Sequence, residues 1–590
     1  MKNKIFLVIA AALGLASCDL DYTPLSKLAP ETFFTTESEL QAFSNQFYTI
    51  LAAGGYDECS DTQIKNALTD EMRSARTVPA SGGGWSFTDL RNYNTLIEYS
   101  VNCKDEAVRT QYVALARFFR AYYYFEKVKR FGDYPWYDRQ LGSDDPELYK
   151  PRDSREFIMG KIIEDLDFAA ANLPAKKDLY RITKWTALTL KSRACLFEGT
   201  FRKYHAGQTS LSTLPSDANG YEYYLDLAAK AAEEVMNTSG YTLYKGSTKA
   251  TNYRDLFLGD PSTGDAFADE IILARDYNAT LNILHNATYN TIGNYGNPSM
   301  TRKLACSYLM ADGTRFTERA GWETMQFGEE LKNRDPRMSQ TIRGVDYMRV
   351  DGTTIEAPSF ASTITGYQPV KFMLGLNANA DTYNKSYQDL PIYRYAEVLL
   401  NFAEAKAELG TLTQADIDKS IKLLRDRVGM PNLNMQEANA NPCAYLSAAE
   451  TGYPNVTGAN KGVILEIRRE RSIELFVEGV RYYDIIRWRN GQAFTHDILG
   501  IYIPGPGVYD LNGDGKNDVH FYEEGDKPTT EAGVVGRKIG SDTYFTEGNK
   551  GYVIHPLSNT GNWNEDRDYL YPLPINELQL NTALTQNPKW

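Results

Sequence analysis

The chain of 590 residues is 42% hydrophobic, enough for a packed core, which excludes global disorder. Lys and Arg total 63 against 76 Asp and Glu, a net charge of −13; that surface repels phosphate backbones, so nucleic acid is excluded as a general partner. Mean hydropathy is −0.45 and no apolar run of spanning length follows residue 17, which excludes a polytopic membrane protein. With 41 Tyr and only 5 His, aromatic surface is abundant and histidine chemistry sparse. A naive count of about 150 residues per domain gives three or four domains, although large helical folds run longer as one unit.

Lys2 and Lys4, the apolar run 5–12 and the small-residue segment before Cys18 form an export signal. Leu15-Ala16-Ser17-Cys18 resembles a bacterial lipobox, in which Cys18 is acylated and becomes the first mature residue. The alternative is a plain secretory signal with an incidental cysteine. Each buried methylene contributes about 0.8 kcal/mol, so several acyl chains hold a soluble domain on a membrane durably. Residues 18–30 then read as an acidic, lipidated tether. Cys59, Cys103, Cys195, Cys306 and Cys443 show neither CxxC nor His spacing, so no zinc site or disulfide framework is indicated. Cys195 reads as a core filler, while Cys59 and Cys103 could pair.

Helical periodicity comes next in the chain, over Glu106–Phe131 and then 154–173, capped by Ser154 and stopped by Pro174. Further helices are expected over 183–204, 223–236, 393–409, 414–428 and 462–489. Ala403, Ala407 and Gly410 are spaced much as in the first helix of a tetratricopeptide repeat, and a second helix follows at Gln414. A coiled coil is disfavoured because no heptad persists; a right-handed stack of about four helix pairs fits better. Between the helices, long segments rich in Gly, Asn, Thr and Tyr read as an irregular lobe laid against the scaffold.

Several strings resemble signatures of the SusD/RagB family: Asn333-Arg334-Asp335-Pro336-Arg337, residues 390–397 from Leu390 to Glu397, and residues 467–484, which include Arg468, Arg469, Glu470, Glu478, Arg481 and Asp484. Residues 568–574 and the terminal Gln586-Asn587-Pro588-Lys589-Trp590 match too. The resemblance implies a mainly α fold: a tetratricopeptide-like scaffold of helix pairs with a second irregular, loop-rich lobe carrying short strands. It divides the chain into a signal peptide (1–17), the lipidated tether (18–30) and one α-rich unit (31–590). The scaffold lies mainly in 31–239 and 388–430 with 462–489, and the variable lobe mainly in 240–387 and 431–565. It further implies a surface lipoprotein of the outer membrane that binds oligosaccharide or polysaccharide and serves a SusC-like TonB-dependent porin as its lid. The arginines and carboxylates of these strings read as a buried scaffold network, whose breakage on one side costs about 3–5 kcal/mol.

No GxSxG elbow, HExxH or P-loop occurs, and the five histidines are scattered. A non-catalytic protein with no required cofactor is therefore expected. Glycoside hydrolysis needs only two placed carboxylates, so a lipid-anchored hydrolase is the runner-up, and a peptide-binding member of the same uptake family is a third reading. A sugar site needs exposed rings that stack on C–H faces, with amides nearby. Loop aromatics are the candidates: Trp85 after three glycines, with Asn92 and Tyr93 close by, and Tyr289, Tyr295 and Trp322 in the irregular lobe. Each has the competing reading of a packing ring. Tyr122, Tyr123, Tyr124 and Trp136 read as structural. Residues 510–518 match the first nine positions of an EF-hand-like loop. Asp510, Asn512, Asp514 and Asp518 offer oxygens, Lys516 offers its backbone carbonyl, and Gly515 sits at the sharp turn. Position 12 is Phe521, so a structural calcium would need Glu523 or Glu524 to complete it; the competing reading is an Asx-rich turn.

Overall fold

Four of the helices in the first part of the chain start where the sequence supplies a side-chain cap. In the computed structural model, which describes residues 33–208, 220–259 and 266–590, α1 (Glu37–Ser44) opens on a capping box of Thr36 and Glu39. Helix α2 (Thr88–Tyr99) is followed by α3 (Glu106–Phe131), capped by Asp105, which accepts from the Ala107 and Val108 N–H groups. Ser154 caps α4 (Arg155–Asn172) by accepting from Phe157 N–H, and Thr183 caps α5 (Lys184–Tyr204). Helix α6 spans Tyr221–Thr238. The signal peptide, Cys18 and the tether to residue 30 lie outside the described residues.

The helices pack as neighbours in space: α3 on α4, α5 on α6, and α7 (Tyr395–Leu409) across α6. Close approach of α5 to α6 requires Gly199, where a Cβ would sit 2.7 Å from Leu225 Cγ. Ala403 and Ala407 are fully buried on α7, and Gly410 ends it in the left-handed region at φ +76°. The rings of Tyr122, Tyr123 and Tyr124 are buried, and Trp136 stacks on Tyr124 at 4.2 Å.

Three expected helices differ. The 393–409 helix starts at Tyr395, because 390–394 is strand β4. The 414–428 helix divides into Gln414–Asp418 and α8 (Ile421–Val428) at Ser420. The 462–489 helix is two, α9 (Lys461–Glu474) and α10 (Arg481–Arg487), separated by a reversal in which Val477 and Gly479 take φ of +52° and +76°.

Short strands tie the lobes together. Strand β1 (Gln63–Ile64) pairs with β3 (Ser299–Met300), and β2 (Ile271–Arg275) with β4 (Leu390–Arg394), both antiparallel. Late in the chain β5 (Leu499–Ile503), β10 (Gly551–Ile554) and β9 (Tyr544–Phe545) form one sheet, and β6 (Gly507–Tyr509), β7 (Val519–Tyr522) and β8 (Val535–Lys538) another. One core fills the helical half around Phe118, Tyr124, Leu196 and Phe402; a second gathers Tyr253, Phe257, Phe372 and Phe521.

Buried charge joins the two cores. Arg394 reaches Glu270 at 2.9 Å, Glu474 at 2.8 Å and Glu478 at 2.6 Å, while Arg427 binds Glu474 and Arg337 binds Glu470 and Asp335. Burial would raise the Glu474 carboxyl, but the Arg427, Arg394 and Arg337 guanidiniums hold it well below the usual range. Arg334 differs, donating to the carbonyls of Ala305, Tyr308, Leu309 and Glu330. The five described cysteines are unpaired, so Cys59 and Cys103 form no disulfide. Among the described residues no helix is long and apolar enough to cross a membrane.

Candidate functional site

Three pairings distant in sequence assemble one aromatic face on the loop-rich lobe. The β1–β3 ladder brings the 56–66 segment beside 287–296, and Asn66 N–H donates to the Gly296 carbonyl at 2.8 Å. A bridge between His285 and Ser386 brings up the 381–386 loop, and the β2–β4 pairing holds both from behind. The short helix Ala287–Tyr289 runs into a wide turn, Asn290–Asn294. Gly293 is needed there: its φ is +102°, and a Cβ would lie 2.4 Å from Ser362 Cβ.

Three tyrosines present rings on this face. Tyr289 is half-buried and meets Tyr383 edge-on at 5.7 Å; Tyr383 itself is 69% exposed. Tyr295 is 57% exposed, with the Lys65 ammonium 4.8 Å from its ring centre. Tyr56 packs half-buried between His285 and Phe372. Burial pushes its hydroxyl up to about 12, against a hydrogen bond from the Asn286 backbone. Around the rings Asn286 accepts from Asn384 N–H, and Asn294 donates to the Asp381 carbonyl at 3.1 Å. Arg349 fixes the Asp381 side chain at 2.9 Å. His285 sets the floor as a neutral ring, its Nε2 facing the Gln388 carbonyl at 2.8 Å and its Nδ1 accepting from Ala287 N–H. Burial lowers it to about 4.

The face unites two of the expected residues, Tyr289 and Tyr295, and adds Tyr383. Tyr383 carries the signal used for the others, a ring among polar loop residues (Asp381-Thr382-Tyr383-Asn384).

Other candidates fall elsewhere. Trp85 is 6% exposed, with Tyr134 at 4.4 Å and Phe131 at 5.2 Å. Its three preceding glycines, all at positive φ, turn the ring inward instead of presenting it, and Arg130 and Lys127 bind the carbonyls of Gly83 and Gly84. Tyr93 is 1% exposed and stacks on Phe119, because 88–99 is a helix and its register points Tyr93 to the core. Neither ring is open to a sugar. Asn92, on the same helix, is half-buried and donates to Gln46. Trp322 is half-buried, edge-on to Phe316 and Tyr445, with Arg302 at 5.8 Å from its ring.

The 510–518 loop closes on its own backbone. Asp510 accepts from Gly513 and Gly515, Asn512 from Asp514, Asp514 from Lys516, and Asp518 from Leu511. Phe521, at the twelfth position, is a core residue on β7. Among the described residues no three His, Cys, Asp or Glu side chains converge as a metal-binding group.

The model named SusD_RagB, the SusD family, matches residues 270–590, more than half of the chain. The chain belongs to the SusD family. SusD-like protein P38 of Formosa agariphila is 23% identical over 532 residues, covering 84% of this chain and 93% of that one. A SusD-like protein of Bacteroides ovatus is 26% identical over 279 residues, 44% of this chain and 47% of its own length, so the match spans about half of that relative. A SusD-like carbohydrate-binding protein of Bacteroides fragilis superposes with a TM-score of 0.67 at 20% identity, covering 94% of this SusD-family chain and all of its own. Two further solved structures of the same shape are one described with a xylogluco-oligosaccharide (TM-score 0.57, 17% identity, coverage 94% and 96%) and a laminarin-binding SusD-like protein (0.53, 18%, 94% and 100%). These likenesses show the fold: a tetratricopeptide-like helical scaffold with a few small sheets.

Proposed function

We propose that this protein captures oligosaccharide or polysaccharide at the cell surface on the Tyr289–Tyr295–Tyr383 face and passes it, unchanged, to a SusC-like TonB-dependent porin. The observation that carries the reading is the exposure of Tyr295 and Tyr383, 57% and 69%, greater than that of any other ring described on that lobe. Unpacked faces beside fixed amides suit a sugar ring. The saccharides named for SusD-like relatives support the ligand class. Titration of xyloglucan, laminarin and starch oligosaccharides into the chain without its first 18 residues tests it. By analogy with base stacking, Tyr383→Ala or Tyr289→Ala removes roughly 1–3 kcal/mol, about ten- to a hundredfold in Kd. Unchanged affinity in both variants rejects this face, and cleavage of the added saccharide rejects the non-catalytic reading.

Anchorage is part of the proposal and rests on the 15–18 lipobox. Cys18→Ala is expected to leave the fold intact and release the protein from the outer membrane; fatty-acid labelling that survives the change contradicts it.

Calcium at 510–518 is a separate element. In support, Asp518 is raised by burial and then by the facing charges of Asp510 and Asp514, a repulsion that a cation relieves. Binding must displace the loop's own hydrogen bonds, so affinity belongs to the weak range of about 10⁻⁴–10⁻³ M. Calcium at several times that concentration raises Tm by mass action, and Asp510→Ala with Asp514→Ala removes the rise. Equal melting in calcium and chelator leaves the loop as a plain turn.

A further inference from the structure

A groove of about 320 Å³ lies on the helical half, between the start of α2, the 137–149 loop and the short helix Ile575–Leu580, and shares no residue with the tyrosine face. Its rim is bare and apolar: Tyr149 is 59% and Leu580 71% exposed. An open apolar rim of this kind marks a contact surface. The amides of the lining are already spent on the protein. Asn94 donates to the carbonyls of Tyr137 and Arg139 and accepts from Arg120, Asn581 donates to the Lys150 carbonyl, and Gln140 donates to Thr95. The groove therefore suits an apolar chain better than a sugar, whose hydroxyls need unspent partners. Two charges of the lining stay open. Arg91 is exposed and Glu577 half-buried, and neither has an ion pair among the described residues, whereas Asp145 holds Arg139 at 2.7 Å.

The chain itself contains a segment of matching character. The first described residue, Phe33, is held at the far end of the same helical stretch, where Asn102 Nδ2 donates to its carbonyl at 2.9 Å. Val101, beside that bond, is 61% exposed. From Asn102 back to Arg91 is about 16 Å at 1.5 Å per helical residue. An extended chain covers that distance in about five residues, so residues 28 and below reach the groove. Leu20, Tyr22, Leu25 and Leu28 recur there, with Asp19 and Asp21 at the far end and Lys27 between the two later leucines. The segment thus carries apolar side chains and both of the charges that Arg91 and Glu577 lack.

We propose that residues 19–32 dock on their own scaffold, running back along α2 over Val101 and into this groove. Leu25 and Leu28 fill it, Lys27 meets Glu577, and Asp21 meets Arg91 through charge-assisted hydrogen bonds. Between Asp21 and Cys18 the extended chain spans roughly 10 Å, so an anchor at Cys18 holds the groove side of the scaffold close to the bilayer. The docking itself rests neither on that anchor nor on what the tyrosine face binds.

The test is backbone hydrogen exchange on the lipid-free chain of residues 19–590, with each variant read on the opposite partner. In the tether variant, Leu25→Ser with Leu28→Ser, amides of 139–149 and 575–581 are expected to exchange about fivefold faster than in the parent. In the groove variant, Arg91→Glu with Leu580→Asp, amides of 25–31 are expected to gain as much. Amides of 381–386 and the Tm stay unchanged in both, because Arg91 and Leu580 are exposed. A benzophenone side chain at position 25 is expected to cross-link to 141–149 or 575–581 of the same molecule. Equal exchange in parent and tether variant overturns the proposal, as does tether exchange that the groove variant leaves unaltered. Cross-links between molecules that grow with protein concentration would assign the groove to a second copy, and cross-links to another surface of the same molecule would place the segment elsewhere; either result overturns it too.

Discussion

Trp85→Ala deletes a ring that touches Phe87, Phe131 and Tyr134. Truncating a buried aromatic of this kind removes about 3–5 kcal/mol, so the variant is expected to melt well below the parent while its remaining folded fraction binds oligosaccharide unchanged. Tyr383→Ala is the opposite case, because no neighbour covers most of its ring, and its stability is expected to stay within about 0.5 kcal/mol. Measuring Tm and Kd on both variants separates packing from recognition; loss of glycan affinity in Trp85→Ala at temperatures where it is fully folded would return that ring to the site. Trp322 stands between them, sharing its edge with Phe316 and Tyr445, so its truncation is expected to lower Tm whether or not a sugar uses the remaining face.

The reversal between α9 and α10 shows what an apolar stripe leaves undetermined. Residues 462–489 keep a helical pattern throughout, yet the chain turns back after Glu474 so that Glu474 and Glu478 both reach Arg394. Glu58 seals the turn by accepting from Gly479 and Tyr482 N–H groups at 3.2 Å. Here two backbones touch: a Cβ on Gly55 would fall 2.1 Å from Gly479 N. Gly55→Ala therefore forces the two segments apart, with an expected loss of about 1–3 kcal/mol or more. A fall in the urea midpoint at constant slope checks it; an unchanged midpoint would mean the contact yields freely.

At the scale of the whole molecule, two buried neutral histidines set the response to acid. Burial lowers both His205 and His285 from the ordinary 6.5 to about 4. Above pH 6.5 neither folded nor unfolded chain protonates them, and their contribution is complete. As pH falls from 6.5 towards 4, only the unfolded chain takes up the protons, so stability is lost, by at most roughly 3 kcal/mol per histidine. Glu58 works the other way: burial raises it to about 7, so its contribution is lost as pH rises from about 4.5 to 7. With two groups against one, unfolding free energy is expected to rise between about pH 4.5 and 6.5. His285→Gln leaves one group against one and should remove most of that rise; an identical slope in the variant would remove His285 from the account.

Much of the architecture was legible in the chain itself. Helix caps at Thr36, Asp105, Ser154 and Thr183 act locally, so the amphipathic helices begin where their sequences say. Apart from Arg334, which donates to carbonyls, the Arg and Glu of the family strings are buried in ion pairs because a buried charge must find its opposite. The candidate site was legible only in kind. Tyr289, Tyr295, Tyr93 and Trp85 all look alike in sequence, as aromatic rings among polar or glycine neighbours. Which rings are left bare depends on contacts between residues 49 to 230 positions apart: Lys65 with Tyr295, Ser386 with His285, and Tyr134 with Trp85 after a 26-residue helix has returned the chain. Local chemistry specifies hydrogen bonds and periodicity over a few residues. Exposure belongs to the assembled surface, and only the tertiary structure decides it.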